Sequence, residues 1–278
     1  MVKQVESIHT VALFPPLSRE LLKVLQSLLE EDWTKPTACP GWSVKDVTAH
    51  LLGGSLGRLS DRDNQPGQTE KNELGFKELV RLINSDNEEW VKAARRISPS
   101  LLIEFLDIAD TALYMYFKTL PMERPARIPV SWAGETESSN WMDIAREYTE
   151  KWLHQQHIRE AVGRPLLTSR EWLFPVLDTF MRALPYTYRN IEAVVGTSMA
   201  IHIEGEAGGD WCLIRQEGRW QLYSGAEPNP STRLGMNQDL AWRLFTKGST
   251  PQVARAQVRI EGNKRLGERI LHMVSIMA

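Results

Sequence analysis

Residues 140–165 of the 278-residue chain read NWMDIAREYTEKWLHQQHIREAVGRP, and this stretch predicts one long helix. Asn140 is a residue type that caps helix N-termini, and Asp143 in the first turn complements the positive end of the helix dipole. At the other end Gly163 is followed by Arg164 and Pro165, which is the usual signal for a helix end. The helix carries polar and apolar residues on different faces, so each face packs against a different environment.

The polar face of this helix carries groups that bind metal ions. Glu150 and His154 are four residues apart, so at about 3.6 residues per turn their side chains emerge from one face. Glu147 and His157 extend the same stripe, and apolar residues on both sides of it allow it to face the protein interior. An ordinary surface pair of a glutamate and a histidine explains the same spacing. A metal site therefore needs a further ligand from elsewhere in the chain.

That ligand is available in residues 32–54, DWTKPTACPGWSVKDVTAHLLGG. Prolines and a glycine enforce a loop, and Ser43 with Asp46 then forms a capping-box-like start for a second helix. His50 lies about two turns into that helix and shares a face with apolar neighbours, so it points inwards. A buried structural histidine is the simpler explanation of His50 alone. The metal interpretation depends on its combination with Glu150 and His154.

Apolar residues at helical spacing predict further helices over 17–31, over 71–97 with a break near 84–87, and from Ser98 to Pro121. Residues 55–73 are polar and predict a long loop or a solvated helix end. Four substantial helices with such connections are typical of an up-and-down four-helix bundle, whose facing helices can hold ligands. We expect such a bundle over residues 1–165.

The pattern changes after Pro165. Residues 166–198 predict a helical bridge that breaks at Pro185. From Met199 onwards, short alternating runs separated by glycine-rich turns predict a β-meander. A short helix over 237–248, a strand over 254–263 and a closing helix over 264–278 follow. The predicted fold class is therefore α plus α+β, with a helical bundle (1–165), a bridge (166–198) and a small α+β domain (199–278).

Composition narrows the compartment and the partners. With 42% hydrophobic and 24% charged residues the chain has the composition of a globular protein, and no stretch approaches the ~20 apolar residues of a membrane span. Its start lacks the pattern of a secretory signal. Cys39 and Cys212 are far apart, which favours free or buried thiols over a disulfide framework. We expect a cytoplasmic protein without a membrane partner, and a net charge of −2 with interspersed signs argues against nucleic acid.

Two segments resemble a known family, the mycothiol-dependent maleylpyruvate isomerases, whose N-terminal domain is a DinB-like metal-binding four-helix bundle. They are WTKPTACPGWSVKDVTAHLLGG (33–54) and YTEKWLHQQHIREAVGRP (148–165). The resemblance implies that His50, Glu150 and His154 are the metal ligands. It also implies that residues 199–278 form a sterol-carrier-like α+β domain. The family isomerase uses an arginine from this second domain, for which Arg233 and Arg243 are the candidates.

Two imidazoles and one carboxylate leave open coordination positions and suit zinc, the first choice, and also nickel, manganese, cobalt or iron. With a low-molecular-weight thiol, mycothiol or another, the protein would be a thiol-dependent isomerase or S-transferase acting on a small electrophile. We expect His157 and Arg233 to be catalytic, and His157 not to be a ligand. The alternatives are a metal-dependent hydrolase, with His157 or Glu147 as base, and a non-catalytic small-ligand-binding protein. The oligomeric state is expected to be monomer or homodimer.

Overall fold

The structure is a computed structural model that describes residues 2–63, 76–127 and 129–275. The described residues form two compact units. The sheet unit takes its residues from 1–8, 129–146 and 168–277, and the helical unit takes them from 9–128 and 147–167. The domain bounds predicted from the sequence, 1–165, 166–198 and 199–278, stay a prediction.

The helical unit contains α1 (Phe14–Gln26), α2 (Val44–Asp63), α3 (Phe76–Ala94) and α4 (Pro99–Thr119), together with α5 (Asn140–Ala161) from residue 147 onwards. Helix α2 packs against α3 and α4, and α1 packs against α4. The helices meet around a shared apolar core. Burial of one large aliphatic side chain in such a core contributes about 1.5–3 kcal/mol to the stability of the fold. Fully buried members of the core include Leu25, Val47, Leu52, Leu106 and Ile158.

Local capping fixes the ends of the two helices that carry the candidate ligands. Ser43 Oγ accepts a hydrogen bond from the Asp46 amide at 3.3 Å, and the Asp46 carboxylate accepts one from the Ser43 amide at 3.1 Å. This is the predicted capping box at the start of α2. After α5, Gly163 takes a φ of 66°, and the amides of Gly163 and Arg164 bond back to carbonyls of the last turn at 3.2 and 2.8 Å. The predicted stop is confirmed as a Schellman motif.

The predicted helix over 17–31 is displaced. Helix α1 begins at Phe14, because Pro15 and Pro16 fit a first turn whose amides need no intrahelical partner. It ends at Gln26, and a separate 3₁₀ helix, Glu30–Thr34, follows. The predicted bounds were wrong at both ends, because leucine spacing alone does not show where a helix begins or ends.

The predicted break within the third helix is also wrong. Helix α3 is continuous through residues 84–87, and the predicted start over 71–75 lies outside the described residues. The polar residues 55–63 belong to α2, while the rest of that predicted loop, 64–73, is likewise outside the described ranges. Polarity there reflects a solvated helix face rather than a loop.

A buried polar network joins four helices of the helical unit. Lys151 Nζ on α5 donates to Asp110 Oδ1 on α4 at 2.8 Å and to Ser55 Oγ on α2 at 2.7 Å. Ser18 Oγ on α1 donates to Asp110 Oδ2 at 3.0 Å. Both charged side chains are 8% exposed, so the pair lies inside the bundle.

The sheet unit is built on a mixed six-stranded sheet of order β1-β4-β3-β2-β5-β6. Its strands are β1 (Lys3–Gln4), β2 (Ser198–Glu204), β3 (Gly209–Arg215), β4 (Trp220–Ser224), β5 (Thr232–Asn237) and β6 (Arg259–Gly262). Neighbouring strands are antiparallel except β2 and β5, which are parallel. The predicted fold class, a helical bundle followed by a small α+β domain, is confirmed. Strand β1 was not predicted.

Short helices complete the sheet unit: α6 (Arg170–Met181), α7 (Leu184–Thr187), α8 (Gln238–Phe245), α9 (Pro251–Arg255) and α10 (Lys264–Glu268). Pro185 lies in the first turn of α7 rather than ending a helix. The predicted closing helix is wrong, because α10 gives way to a 3₁₀ turn over Arg269–His272. Across the described residues, no helix has the length and apolarity needed to cross a bilayer.

Candidate metal centre

Helices α2 and α5 bring the three predicted ligands together. His50 Nε2 lies 3.1 Å from Glu150 Oε1, and His154 Nε2 lies 3.0 Å from the same oxygen. The ligand atoms of all three residues lie within 4.8 Å of one another. The histidine side chains are 10% and 12% exposed, whereas that of Glu150 is 36% exposed. Two imidazoles and a carboxylate thus converge in a group that opens towards solvent at Glu150.

Ring contacts hold the two histidines in place. The Trp42 ring lies 5.0 Å from the His50 ring, which in turn lies 4.6 Å from the His154 ring at an interplanar angle of 72°. Edge-to-face geometry of this kind is the favoured arrangement of neighbouring rings. His50 Nδ1 is buried and has no hydrogen-bond partner among the described residues. The polar contact of His50 with Glu150 is therefore made through Nε2.

Electrostatics couple Glu150 to the imidazoles. Burial opposes ionisation of Glu150, but the imidazoles of His154 and His50 outweigh it and hold the pKa of this carboxyl well below its usual range. Burial also disfavours a charged His154, yet the carboxylate of Glu150 and the thiol of Cys39 raise the pKa of this imidazole to about 10. A cation bound at Nε2 takes the place of a proton, because ligand histidines are neutral.

Cys39 was not predicted as part of the site. Its Sγ lies 3.2 Å from His157 Nδ1 and 3.6 Å from His154 Nδ1. Burial raises the pKa of the Cys39 thiol, but hydrogen bonds to the two imidazoles outweigh it and bring the pKa down to about 6. No local signal identifies it, because its partners on α5 are 115 and 118 residues away. Both cysteines are free, as predicted.

The two candidate bases, His157 and Glu147, both lie on α5. His157 lies one turn beyond His154, with ring centroids 5.4 Å apart, and its Nδ1 faces Cys39. Glu147 is buried, 5% exposed, on the same helix. His157 is thus placed beside the candidate ligands, and its catalytic role stays a prediction.

The two candidate arginines belong to the sheet unit. Arg233 on β5 donates to the carbonyl oxygen of Pro228 at 2.7 Å. Arg243 on α8 pairs with Asp239 at 3.1 Å and lies over the Trp242 ring at 4.2 Å. The role predicted for Arg233, like that of Arg243, stays a prediction.

The fold and the site together define a class: proteins in which a helical bundle gathers a candidate His-Glu-His metal centre and an α+β region follows. The family model of the mycothiol maleylpyruvate isomerase N-terminal domain matches residues 14–159, more than half of the chain. The chain belongs to this family. No curated protein sequence matches the chain.

Two solved isomerase structures agree with this fold. The mycothiol-dependent maleylpyruvate isomerase matches with a TM-score of 0.50 at 10% identity, and a histidine-to-alanine variant of it matches with a TM-score of 0.52 at 11% identity. Each match covers 90% of this chain and 91% of the other. The sterol carrier protein domain 2 of Helicoverpa armigera matches at 17% identity over 34% of this chain and 81% of the other, with a TM-score of 0.28. At these identities the likeness to the isomerase concerns the fold.

Proposed function

We propose that this protein is a metal-dependent enzyme that uses a low-molecular-weight thiol to isomerise a small electrophile or to transfer the thiol to it. The observation that carries the proposal is the convergence of His50 and His154 on Glu150, with both Nε2 atoms within 3.1 Å of one carboxylate oxygen. Membership of a family named for mycothiol and maleylpyruvate supports the thiol and the class of substrate.

The residues present fit a divalent cation. Neutral imidazoles and a carboxylate are ligands for zinc and for other first-row dications, and three protein ligands leave positions open. Zinc is the first choice, and nickel, manganese, cobalt or iron would also fit. The Glu150 side chain is 36% exposed, so the group is in contact with solvent on that side. When bound, such an ion stabilises a thiolate or polarises a carbonyl oxygen.

The chain's own residues have distinct tasks in this proposal. Glu150 orients the two ligand imidazoles, and the Trp42 ring packs against that of His50. His157, one turn from His154, would take up and return the proton of the thiol. Arg233, with Arg243 as the other candidate, would bind an anionic group of the substrate.

The chemistry of the isomerisation balances without any oxidant. The thiolate sulfur adds to one carbon of a double bond conjugated to a carbonyl, and the electron pair of that double bond moves to the carbonyl as an enolate. The resulting single bond rotates, and return of the electron pair expels the thiolate and leaves the geometric isomer. In the transferase alternative the adduct is released and the thiol is consumed. Mycothiol is the first thiol to test, and maleylpyruvate is the first substrate.

The test combines metal analysis of the purified full chain with a screen of small thiols. We expect about one equivalent of divalent metal, and thermal stabilisation by the thiol that is used, since a ligand at 100 times its Kd stabilises by about 2.7 kcal/mol. His50→Ala and His154→Ala should each abolish metal binding at this site and thiol-dependent turnover. Metal-dependent turnover without a thiol would overturn the proposal in favour of a hydrolase. Bound metal without turnover of any electrophile would indicate a small-ligand-binding protein.

Further features complete the proposal. Free thiols fit a reducing compartment, so we place the protein in the cytoplasm. We propose a monomer or homodimer that acts on a small molecule and has no nucleic-acid or membrane partner. The bundle, bridge and α+β domain are proposed at 1–165, 166–198 and 199–278.

A further inference from the structure

A second group of potential metal ligands lies on the other side of His154. Cys39 Sγ lies 3.2 Å from His157 Nδ1 and 3.6 Å from His154 Nδ1. One ligand atom from each residue lies within 4.8 Å of the others. A cysteine sulfur with two imidazoles is a donor set typical of zinc and other soft dications. The proposed function does not use Cys39 or His157 as ligands.

Two rigid elements hold these three side chains. Cys39 is the first residue of a type II turn, in which Gly41 takes a φ of 80° and the Trp42 amide bonds to the Cys39 carbonyl at 3.1 Å. A β-bridge between Pro36 and Ser43 closes the loop at its base. His154 and His157 lie one turn apart on α5. The group is therefore preformed by backbone structure rather than gathered from mobile segments.

The two nitrogens of His154 face different partners. Nε2 lies 3.0 Å from Glu150 Oε1, whereas Nδ1 lies 3.6 Å from Cys39 Sγ. A neutral imidazole has a lone pair on one nitrogen and a proton on the other. The tautomer of His154 thus decides which of the two groups it can serve as a ligand.

We propose that Cys39, His154 and His157 form a second site for a soft divalent cation, adjacent to the His50–Glu150–His154 group and coupled to it through the shared imidazole of His154. Because neutral His154 offers one lone pair, a cation at either site weakens binding at the other. The cation is of the zinc class, since it must accept a thiolate and imidazoles.

The alternative is a hydrogen-bonded cluster of a thiol and two imidazoles that binds no cation. Cobalt(II) distinguishes the two, because a cobalt–thiolate bond produces a sulfur-to-cobalt charge-transfer absorption in the near ultraviolet that nitrogen and oxygen ligands do not produce. Cys212 supplies the matched control. It is fully buried on β3, in the sheet unit.

The experiment titrates the full chain carrying His50→Ala and Glu150→Gln with cobalt(II), under a reductant that does not chelate metals. We expect one bound equivalent with the charge-transfer band. Adding Cys39→Ser should remove the band and weaken binding by at least about 10- to 100-fold, the range produced by loss of even an outer partner of a ligand. Adding Cys212→Ser instead should change neither the band nor the affinity for cobalt. A band that is absent, or that survives Cys39→Ser, overturns the proposal.

Circular dichroism shows whether the double variant folds. If it does not, the same titration is carried out on the wild-type protein and on single variants. At saturating cobalt the wild-type protein should show the charge-transfer band. The band should be lost in His157→Gln and retained in His50→Ala. Its persistence in His157→Gln would exclude His157 from the site and refute the proposal. No thiol or substrate is present in these titrations, so failure of the proposed enzymatic function does not affect their outcome.

Discussion

Replacing Lys151 with methionine tests whether the buried ion pair stabilises the bundle around α5. Methionine has a similar helix propensity and side-chain length, so the change mainly removes the ammonium group. That group lies 2.8 Å from Asp110 Oδ1, and both side chains are 8% exposed. Removing one partner of a buried pair costs about 3–5 kcal/mol. Because Ser18 and Ser55 still donate to the carboxylate, at 3.0 and 2.7 Å, we expect a loss near the lower limit, about 3 kcal/mol.

The assay is urea unfolding of the full chain by circular dichroism, with hydrogen exchange of the α5 amides to assign the loss to the helical unit. Asp110→Leu combined with Lys151→Met removes both charges. We expect this double variant to lose about 2 kcal/mol less than the sum of the two single losses. Lys92→Met, on an exposed position of α3, is the control and should stay within about 0.5 kcal/mol of the parent.

Two results would refute a stabilising buried pair. One is a loss of less than about 1 kcal/mol in Lys151→Met, which is the value of an exposed pair. The other is simple additivity of the two single variants, since groups in direct contact should couple. Either result would mean that Asp110 finds other compensation inside the bundle.

Three further outcomes are expected. Burial opposes ionisation of Asp46, yet Arg95 and Ser43 lower its pKa, so its charged form stabilises the fold above an unfolded pKa of about 3.9 and this stability is lost as pH falls. Asp46→Asn should therefore cost about 1 kcal/mol in urea unfolding at neutral pH, and the difference should shrink as pH falls below about 3.9 and through the lowered pKa of the folded state. Gly41→Ala should cost about 1–2 kcal/mol because of its φ of 80°, whereas Gly54→Ala, with open space around it, should not destabilise. His157→Gln should leave zinc content near one equivalent by elemental analysis, because the first site does not use His157; loss of that zinc would show that the bound ion depends on His157.

Features set by neighbouring residues were predictable from the sequence. The capping box of Ser43 and Asp46 and the stop at Gly163 depend on short stretches whose chemistry is visible in the letters. The convergence of His50 with the pair on α5 was predictable for a related reason. One inward-facing histidine on a bundle helix and an i, i+4 pair on another leave few ways to bury all three.

Features set by distant contacts were not predictable. Cys39 is 115 residues from His154, and nothing in its own segment shows that a type II turn directs its sulfur to α5. Strand β1 has two residues, too few to show the alternation that indicates a strand. Lys151 and Asp110 are 41 residues apart and look like members of solvated helix faces. Only the fold shows that each neutralises the other.

The polar character of α5 explains how its ligands are held before any ion arrives. An unpaired buried charge costs several kcal/mol, so a polar helix can enter a bundle only where its charged groups meet partners. A shift of α5 by one residue turns every side chain by about 100° and would break all such pairs at once. The pairs therefore select one register of the helix, and in this register the candidate ligands lie close to one another. A ligand set fixed in this way binds without a further ordering cost, so the loss of one pair should weaken cation binding as well as stability. The pairs that fix the register link α5 to three different helices: Glu150 meets His50 on α2, Lys151 meets Asp110 on α4, and Arg159 meets the Glu20 carboxylate on α1.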